Sequence, residues 1–493
     1  MIATVLENLF SINGLLMSLL GVSLGIIIGA LPGLSAAMGI ALMLPVTYTM
    51  ETTSAFIVLC GLYVGAIYGG SITAILLRTP GTPASAATII DGYEFTKRGE
   101  AGRALGISTI SSGMGGMISA VILALAAPLL IQFSLSFTPI EKSALAFFGL
   151  SIISSVSEKS PLKGILAGLL GMLLSLVGVD PVNGQLRFTM GIHTLYGGFA
   201  LVPAMVGLLA MSQAYMSVEH LKEEQIIQKT VKRAFPSWSD LKKTTPIVLI
   251  SGIIGTLVGI IPGTGGDIAS YLAYNEAKRF SKNKEAFGTG IPEGVAAPEA
   301  ANNGVTGGAM IPMMTLGIPG DAATAVMLGA LMLHGLQPGA VFFRTHSDVV
   351  YTIFGAMFLG NVIMIVLGLL CVRWFIKAVS VKRYILTPVI MIFCVIGSFC
   401  LNNNIGDVWV MLIFGFVGYI LEKLQFPMSP VVLGIILGKT FETQLRQGMI
   451  MFFGDMSVYL TRPISLVFVV IGVLSLVMGF VRSFKVNRKK KAS

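Results

Sequence analysis

Four Pro-Gly dipeptides form two matched pairs in this 493-residue chain, and each interrupts an apolar stretch beside hydroxyl or carboxylate side chains. Proline lacks the amide hydrogen and glycine adopts backbone angles closed to other residues, so each dipeptide predicts the end of one helix and the start of another. The new helix presents unpaired amide hydrogens that suit a carboxylate. The predicted anion-binding residues are Pro32, Gly33, Ser35, Ser71, Arg78, Thr79, Pro80, Gly81, Thr82, Pro262, Gly263, Thr264, Gly265, Pro319 and Gly320.

Acidic and amide side chains lie near the same breaks. Where apolar segments span a membrane, charged residues are costly and usually functional, and carbonyl groups freed at a helix break are typical cation ligands. We expect a coupling Na⁺ or H⁺ here, with no cofactor and no metal beyond a transported Na⁺. The predicted coupling-ion residues are Asp267, Asn302, Asn303 and Asp321; Glu293 and Glu299 are further charged residues near the breaks.

Two of these features allow a second interpretation. Proline and glycine kinks are tolerated in membrane helices, so a single break could serve packing alone. Arg78 could bind an anion or could pair with a carboxylate. The recurrence of the breaks in two matched pairs favours the functional interpretation.

The helices that must position these residues follow from the composition, which is 54% hydrophobic and only 11% charged. Soluble domains carry about 25% charged residues. The apolar runs are continuous and recur along the chain, which indicates membrane helices and disfavours the alternating pattern of a barrel. We therefore predict an all-α polytopic membrane protein with about 10 to 14 membrane segments in a lipid bilayer.

Short clusters of lysine and arginine between the apolar segments account for the net charge of +10. They show no basic face with interleaved aromatics, so nucleic-acid binding is not expected. The positive-inside rule places the clusters in the cytoplasm, together with the C-terminus, and places the N-terminus in the periplasm. No cleavable signal peptide is expected. The predicted location is the bacterial inner membrane.

The two pairs of breaks divide the chain into similar halves. Residues 1–218 are predicted to form the first membrane half, 219–245 a basic cytoplasmic linker, 246–482 the second half, and 483–493 a basic cytoplasmic tail. Each half contains a helical hairpin with Pro-Gly near its tip, at Pro32 or Pro262, and a helix broken by Pro-Gly, at Pro80 or Pro319. The basic clusters give the halves opposite sidedness, which predicts inverted-topology repeats such as those of secondary carriers.

Several segments resemble the large membrane subunit of the tripartite tricarboxylate transporters, the TctA family. The matching text includes YGGSITAILL from Tyr68, TPGTPASAA from Thr79, PEGVAAPEAANN from Pro292, LGIPG from Leu316 and HGLQPG from His334. The family more often has asparagine at the position of Arg78. The resemblance implies a fold and a function for nearly the whole chain.

The implied function is secondary active uptake of organic acid anions, such as citrate and other di- or tricarboxylates, by Na⁺ or H⁺ symport. The implied partners are a small integral-membrane subunit and a periplasmic solute-binding protein. A stand-alone carboxylate carrier without a binding protein is the alternative. An enzyme is not expected, because no His is followed by the Glu of a zinc-protease motif and Leu433 occupies the glycine position of a phosphate-binding loop.

Overall fold

The computed structural model describes residues 2–31, 33–155, 161–219, 235–379 and 383–492. Within these ranges the chain is helical almost throughout, and one short antiparallel pair joins β1 (Gly178–Val179) to β2 (Leu186–Arg187). The predicted linker falls largely on residues 220–234, which lie outside the described residues. Pro32 also lies outside them.

The first half of the chain contains ten helices among its described residues. They are α1 (Ile2–Phe10), α2 (Ile12–Ala30), α3 (Ala36–Tyr48), α4 (Thr52–Leu77), α5 (Ile89–Lys97), α6 (Ala101–Ser134), α7 (Pro139–Ser155), α8 (Pro161–Ser175), α9 (Leu201–Val206) and α10 (Ser212–Glu219), with a π-helical segment at Gly207–Met211 joining the last two.

The second half contains twelve helices among its described residues. They are α11 (Trp238–Ile260), α12 (Gly265–Phe280), α13 (Pro292–Leu316), α14 (Ala322–Leu333), α15 (Ala340–Thr345), α16 (Ser347–Leu370), α17 (Val372–Val379), α18 (Arg383–Asn402), α19 (Ile405–Lys423), α20 (Met428–Met451), α21 (Val458–Thr461) and α22 (Pro463–Ala492). Short 3₁₀ turns lie at Pro83–Ser85, His193–Leu195 and Lys284–Ala286.

Eight helices in the described part of the chain are long and apolar enough to cross a membrane. Shorter apolar helices, such as α3 and α14, follow the Pro-Gly breaks. A helix with no water to satisfy its backbone must form its hydrogen bonds internally, so these apolar segments are helical. The prediction of an all-α polytopic membrane protein is confirmed.

Side-chain caps and left-handed residues set the helix ends around the breaks. Ser35 caps α3 by accepting from Met38 N (3.3 Å), and Asp321 caps α14 through a capping box with Thr324. At the other ends, α4 and α13 each stop at a residue in the left-handed region, which is Arg78 in one case and Gly317 in the other (φ 56° and 71°). The local sequence therefore terminates the helices where the Pro-Gly dipeptides predict.

Two compact units make up the described structure. The first comprises Met1–Leu130 and Ser217–Phe393, and the second comprises Ile131–Met216 and Cys394–Ser493. All four Pro-Gly breaks fall in the first unit. The units are interleaved along the chain, so they do not coincide with its sequence halves.

Close helix pairs form the core of the first unit. On α2, a Cβ added to Gly25 or Gly29 would meet the backbone of α4, and α4 glycines approach α2 in the same way. Glycine permits this approach because no side chain separates the two backbones. Helices α11 and α13 repeat the arrangement, with α11 residues 230 positions after their α2 counterparts and α13 residues 239 positions after their α4 counterparts. The matching contacts are Gly25–Leu62 with Gly255–Ala301, Gly29–Ala66 with Gly259–Val305, Gly65–Val22 with Gly304–Gly252, and Gly69–Ile26 with Gly308–Thr256.

The second unit holds the loop around the β-strands by an ion-pair cluster. Arg187 donates to both oxygens of Glu442 (2.5 and 3.0 Å), and Arg446 donates to Asp180 (2.5 Å). The hydrogen bond from Arg446 lowers the pKa of the Asp180 carboxyl to about 2. The cluster thus attaches the loop to α20.

Candidate anion and cation site in the first compact unit

The second-half break lies directly against the second hairpin. Gly263, at the hairpin tip, donates its N–H to the carbonyl of Gly320 (2.7 Å). A Cβ on Gly320 would lie 2.5 Å from the Gly259 oxygen and 2.6 Å from the Ala309 Cα. The break and the hairpin tip are therefore in backbone contact, and only glycine fits between them.

The first-half break has an equivalent arrangement. Gly81 donates its N–H to the carbonyl of Gly70 (3.2 Å). A Cβ on Gly81 would collide with the Gly29 oxygen and lie 2.8 Å from the Gly70 Cα. Gly33 has a positive φ of 92°, as Gly263 does with 81°. Both breaks therefore lie against the helix that precedes a hairpin tip; an α-helix starts directly after the second-half break, whereas a 3₁₀ turn at Pro83–Ser85 follows the first.

Buried polar atoms that lack a protein partner lie on two elements beside these breaks. Within the described residues, Thr82 Oγ1, both amide atoms of Asn302 and Asn303 Oδ1 make no hydrogen bond. Asn302 and Asn303 are fully buried, and Thr82 is 4% exposed. An unpaired buried polar group costs about 1–3 kcal/mol, so such groups usually take a partner such as water, an ion or a ligand.

Three elements meet at Asn302. A Cβ on Gly266, at the start of α12, would lie 2.5 Å from Asn302 Oδ1 and 3.0 Å from the Ala84 Cβ. The neighbouring Asn303 donates Nδ2 to the Val64 carbonyl (3.4 Å), where α13 contacts α4. The first-half break, the second hairpin and the middle of α13 are thus adjacent, which is the geometry that a site for a small ion or anion requires.

Two aspartates follow the second-half Pro-Gly dipeptides: Asp321 is the N-cap of α14, and Asp267 lies in the first turn of α12. Asp321 accepts from the buried Tyr63 hydroxyl (2.6 Å) and from Thr324 N (2.8 Å). Asp267 is partly buried in the first turn of α12, where a Cβ on Gly265 would lie 2.6 Å from its Oδ1. Asp321 therefore fixes the backbone after the second-half break, and Asp267 lies close to the tip of the second hairpin.

Other predicted residues serve neighbouring groups. Thr264 donates its hydroxyl to backbone carbonyls at Val258 (2.5 Å) and Ile261 (2.8 Å). Ser71 is fully buried and bonds Ser108 (2.7 Å). Arg78 and Thr79 are exposed, and the Arg78 guanidinium lies 5.9 Å from the Tyr93 ring centroid. The three prolines Pro80, Pro262 and Pro319 lie in the non-α-helical segments that follow α4, α11 and α13.

Substitutions of Arg78 test whether its left-handed backbone angle lowers the stability of the protein. A non-glycine residue in the left-handed region costs about 1 kcal/mol, and Gly317 meets the same requirement at the other break without that cost. We expect Arg78→Gly to raise the thermal unfolding temperature of the purified protein and Arg78→Ala to leave it nearly unchanged. Equal unfolding temperatures for these two variants would contradict the strain at this position.

A fully buried carboxylate, Glu299, lies one turn before Asn302 on α13. It accepts from Thr88 (2.5 Å), Ser108 (3.1 Å) and Ser112 (2.7 Å), and it forms no ion pair within the described residues. Sequence reasoning noted its charge but assigned it no role. Its spacing of three residues from Asn302 was the available signal, because residues three apart share a helix face.

A second buried carboxylate, Asp91, joins the two halves of the chain. It accepts from the Tyr274 hydroxyl (2.8 Å) and from the backbone N–H groups of Gly288 (3.0 Å), Gly290 (2.7 Å) and Ile291 (3.1 Å). These amides precede α13, so Asp91 fixes the start of the helix that carries Glu299 and Asn302. Sequence reasoning did not identify this role.

Comparison with known proteins connects this geometry with a family. The family model of the tripartite tricarboxylate transporter TctA family matches residues 15–433. An uncharacterized 52.8 kDa protein in the TAR-I ttuC′ 3′ region of Agrobacterium vitis is 35% identical over 470 residues, covering 95% of this chain and 94% of that protein. A second uncharacterized protein, in the TAR-II ttuC′ 3′ region of the same organism, is 35% identical over 234 residues, covering 48% of this chain and 97% of that protein. The predicted resemblance is confirmed, and the chain belongs to the tripartite tricarboxylate transporter TctA family.

Proposed function

We propose that this chain is the translocating subunit of a secondary active transporter that takes up organic acid anions by cation symport. The observation that carries the proposal is the set of unpaired buried polar atoms on Asn302, Asn303 and Thr82 beside the Pro-Gly breaks. Family membership supports transport as the general activity. Di- and tricarboxylates, such as citrate, are the proposed substrates.

The unpaired atoms divide by chemistry between anion and cation. The Thr82 hydroxyl and Asn302 Nδ2 are donors suited to a substrate carboxylate. The unpaired amide oxygens of Asn302 and Asn303 are acceptors suited to Na⁺, and the partnered carboxylates of Asp267 and Asp321 supply negative charge nearby for Na⁺ or for a proton relay. An anion and a cation bound side by side offset each other's charge, which favours their joint transport.

The matched glycine contacts support an inverted repeat. The α2–α4 contacts recur between α11 and α13, offset by 230 residues from α2 to α11 and by 239 residues from α4 to α13, and the two Pro-Gly breaks dock in the same manner. At the 239-residue offset, Val64 of α4 is equivalent to Asn303 of α13, and these two residues contact each other. Such self-pairing is expected beside a pseudo-two-fold axis, which supports substrate binding between the halves as in other repeat-built carriers.

A small integral-membrane subunit and a periplasmic solute-binding protein are the proposed partners, in keeping with a tripartite family. We place the protein in the bacterial inner membrane with its N-terminus in the periplasm and its C-terminus in the cytoplasm. The first compact unit, which contains all four breaks, is the proposed transport unit.

Uptake into proteoliposomes tests the transport function. The chain would be reconstituted with its two partner subunits, and labelled citrate, other carboxylates and a neutral solute would be compared under imposed Na⁺ or H⁺ gradients. Gradient-driven carboxylate uptake that needs the binding protein supports the proposal. Uptake without the binding protein favours a stand-alone carrier, and no carboxylate uptake under either gradient contradicts the proposal.

Asn302→Ala tests the assignment of the site. Because neither amide atom of Asn302 has a protein partner, its loss should change the free energy of unfolding by less than about 1 kcal/mol, while carboxylate uptake falls by about tenfold or more. Asn13→Ala is the control, since Asn13 is bonded to Ser54 (2.9 Å) away from the breaks. Normal uptake by Asn302→Ala would exclude Asn302 from the site.

A further inference from the structure

The hydroxyl cluster around Glu299 has no role in the anion site described above. The carboxylate is fully buried and receives hydrogen bonds from Thr88, Ser108 and Ser112, while Ser71 extends the cluster through Ser108 (2.7 Å). Each partner is a hydroxyl group. Two elements besides α13 supply the direct donors: Thr88 immediately precedes α5, and the two serines lie on α6.

Hydroxyl partners accommodate a carboxyl group in either protonation state. A hydroxyl donates to an ionised carboxylate, and after rotation it accepts from a protonated one. An arginine or lysine partner would instead hold the carboxylate permanently ionised. Burial without a counter-charge disfavours the ionised form, whereas the three donors favour it. The cluster therefore permits a proton to be gained and lost without moving heavy atoms.

The charged and titratable groups on the surrounding elements leave Glu299 without a competing partner. On α4 the Tyr68 hydroxyl bonds Thr109 (2.7 Å). On α5, Asp91 is occupied by Tyr274 and by backbone amides. At the start of α6, Arg103 pairs with Asp240 (2.6 Å). On α13 itself, Glu293 lies in the first turn, away from the cluster.

Glu299 is also connected mechanically to the anion site. Asn302 and Asn303 follow on the next turn of α13, and the Ser270 hydroxyl of α12, which donates to the Gly266 carbonyl (2.6 Å), also lies 3.3 Å from the carbonyl of Pro298. The hairpin that borders the anion site therefore contacts the backbone beside Glu299. A hairpin movement on substrate binding would therefore act on the α13 backbone next to Glu299.

We infer that Glu299 carries the coupling proton, so that each carboxylate is taken up with a proton bound at this residue. A proton from periplasmic water adds to one carboxylate oxygen, and the same O–H bond breaks on the cytoplasmic side, where water accepts the proton. No other reactant is needed. The inference rests on the proposed function and specifies its coupling ion as H⁺.

The test uses the complete transporter in proteoliposomes and compares two assays of labelled carboxylate. With one proton per substrate, a gradient of about one pH unit supports about tenfold accumulation. Counterflow, the exchange of labelled for unlabelled substrate without a gradient, needs no net proton movement. We expect Glu299→Gln to lower the accumulation ratio from about ten to about one while counterflow continues. Glu293→Gln is the matched control on the same helix and should retain accumulation.

Three other results would count against the inference. Full accumulation driven by the pH gradient in Glu299→Gln overturns the inference, as does wild-type accumulation driven by Na⁺ but not by H⁺. Absence of wild-type counterflow contradicts the proposed function itself, and the inference falls with it.

A second variant covers the case in which Glu299→Gln does not fold. Ser112→Ala removes one donor to the ionised carboxylate, which favours the protonated form, so the pH profile of uptake should move to higher pH by several tenths of a unit or more. The control is Ser143→Ala in the second unit, which should leave the profile in place. An unmoved profile for Ser112→Ala overturns the inference, because a purely structural serine would change the rate and not the pH dependence.

Discussion

Replacement of Gly320 by alanine is expected to reduce gradient-driven carboxylate uptake by about tenfold or more. The added Cβ would meet the Gly259 carbonyl and the Ala309 Cα, both of which are backbone atoms that cannot rotate away. Overpacking of this kind costs about 1–3 kcal/mol, and each 1.4 kcal/mol is a factor of ten. In Gly320→Ala the second-half break therefore moves away from the second hairpin, and the start of α14 is displaced.

Gly81→Ala is the equivalent change at the first-half break, and we expect it to have a similar effect. The control is Gly197→Ala, because Gly197 has nothing within 4 Å of an added Cβ and no positive φ. The measurement is initial uptake in proteoliposomes, normalised to folded protein. Wild-type uptake by both Gly81→Ala and Gly320→Ala would show that close docking of the breaks is not required for transport.

Replacement of Asp91 by asparagine is expected to lower the free energy of unfolding by about 3 kcal/mol or more, since hydrogen bonds to a charged group contribute about 1.5–3 kcal/mol each. Asp91 is fully buried and accepts from one hydroxyl and three backbone amides. Asparagine replaces one accepting oxygen with a donor and loses the charge. With its oxygen at the Oδ1 position, asparagine can still accept from the three amides, but its NH₂ group then faces the Tyr274 hydroxyl and the Gly288 N–H, which both donate to Oδ2 of the aspartate.

The matched partial change is Tyr274→Phe, which removes a single donor to Asp91. We expect it to cost about half as much as Asp91→Asn or less. Thermal unfolding of the detergent-purified protein, followed by fluorescence, provides the comparison. A larger loss of stability in Tyr274→Phe than in Asp91→Asn would show that the aromatic packing of Tyr274, and not the carboxylate, holds this joint.

The helix breaks could be predicted from sequence because their cause is local. Proline and glycine change the backbone of their own turn, and the structure ends α13 at Gly317 and begins α14 after Asp321. Arg78 illustrates the limit of this reasoning. Its charge suggested either anion binding or pairing with a carboxylate, and only the structure shows its left-handed backbone angle and exposed side chain.

The roles of Asp91 and Glu299 could not be predicted, because their partners are remote in sequence. Thr88 and Glu299 are 211 residues apart, and Asp91 and Tyr274 are 183 residues apart. A carboxylate in an apolar stretch indicates function or pairing without showing which. Packing also decides whether the side-chain atoms of Thr82 and Asn302 find a hydrogen-bond partner.

The amino-acid sequence by itself determined the all-helical membrane architecture, the positions of the breaks and the family, because hydropathy, backbone chemistry and motif text are local properties of the chain. Only the tertiary structure decided which polar groups are paired. Its close glycine contacts bring α2 to α4 and α11 to α13. Burial then removes water as a partner, so long-range packing distinguishes the bonded carboxylate of Asp91, the hydroxyl-bound Glu299 and the unpaired amide of Asn302.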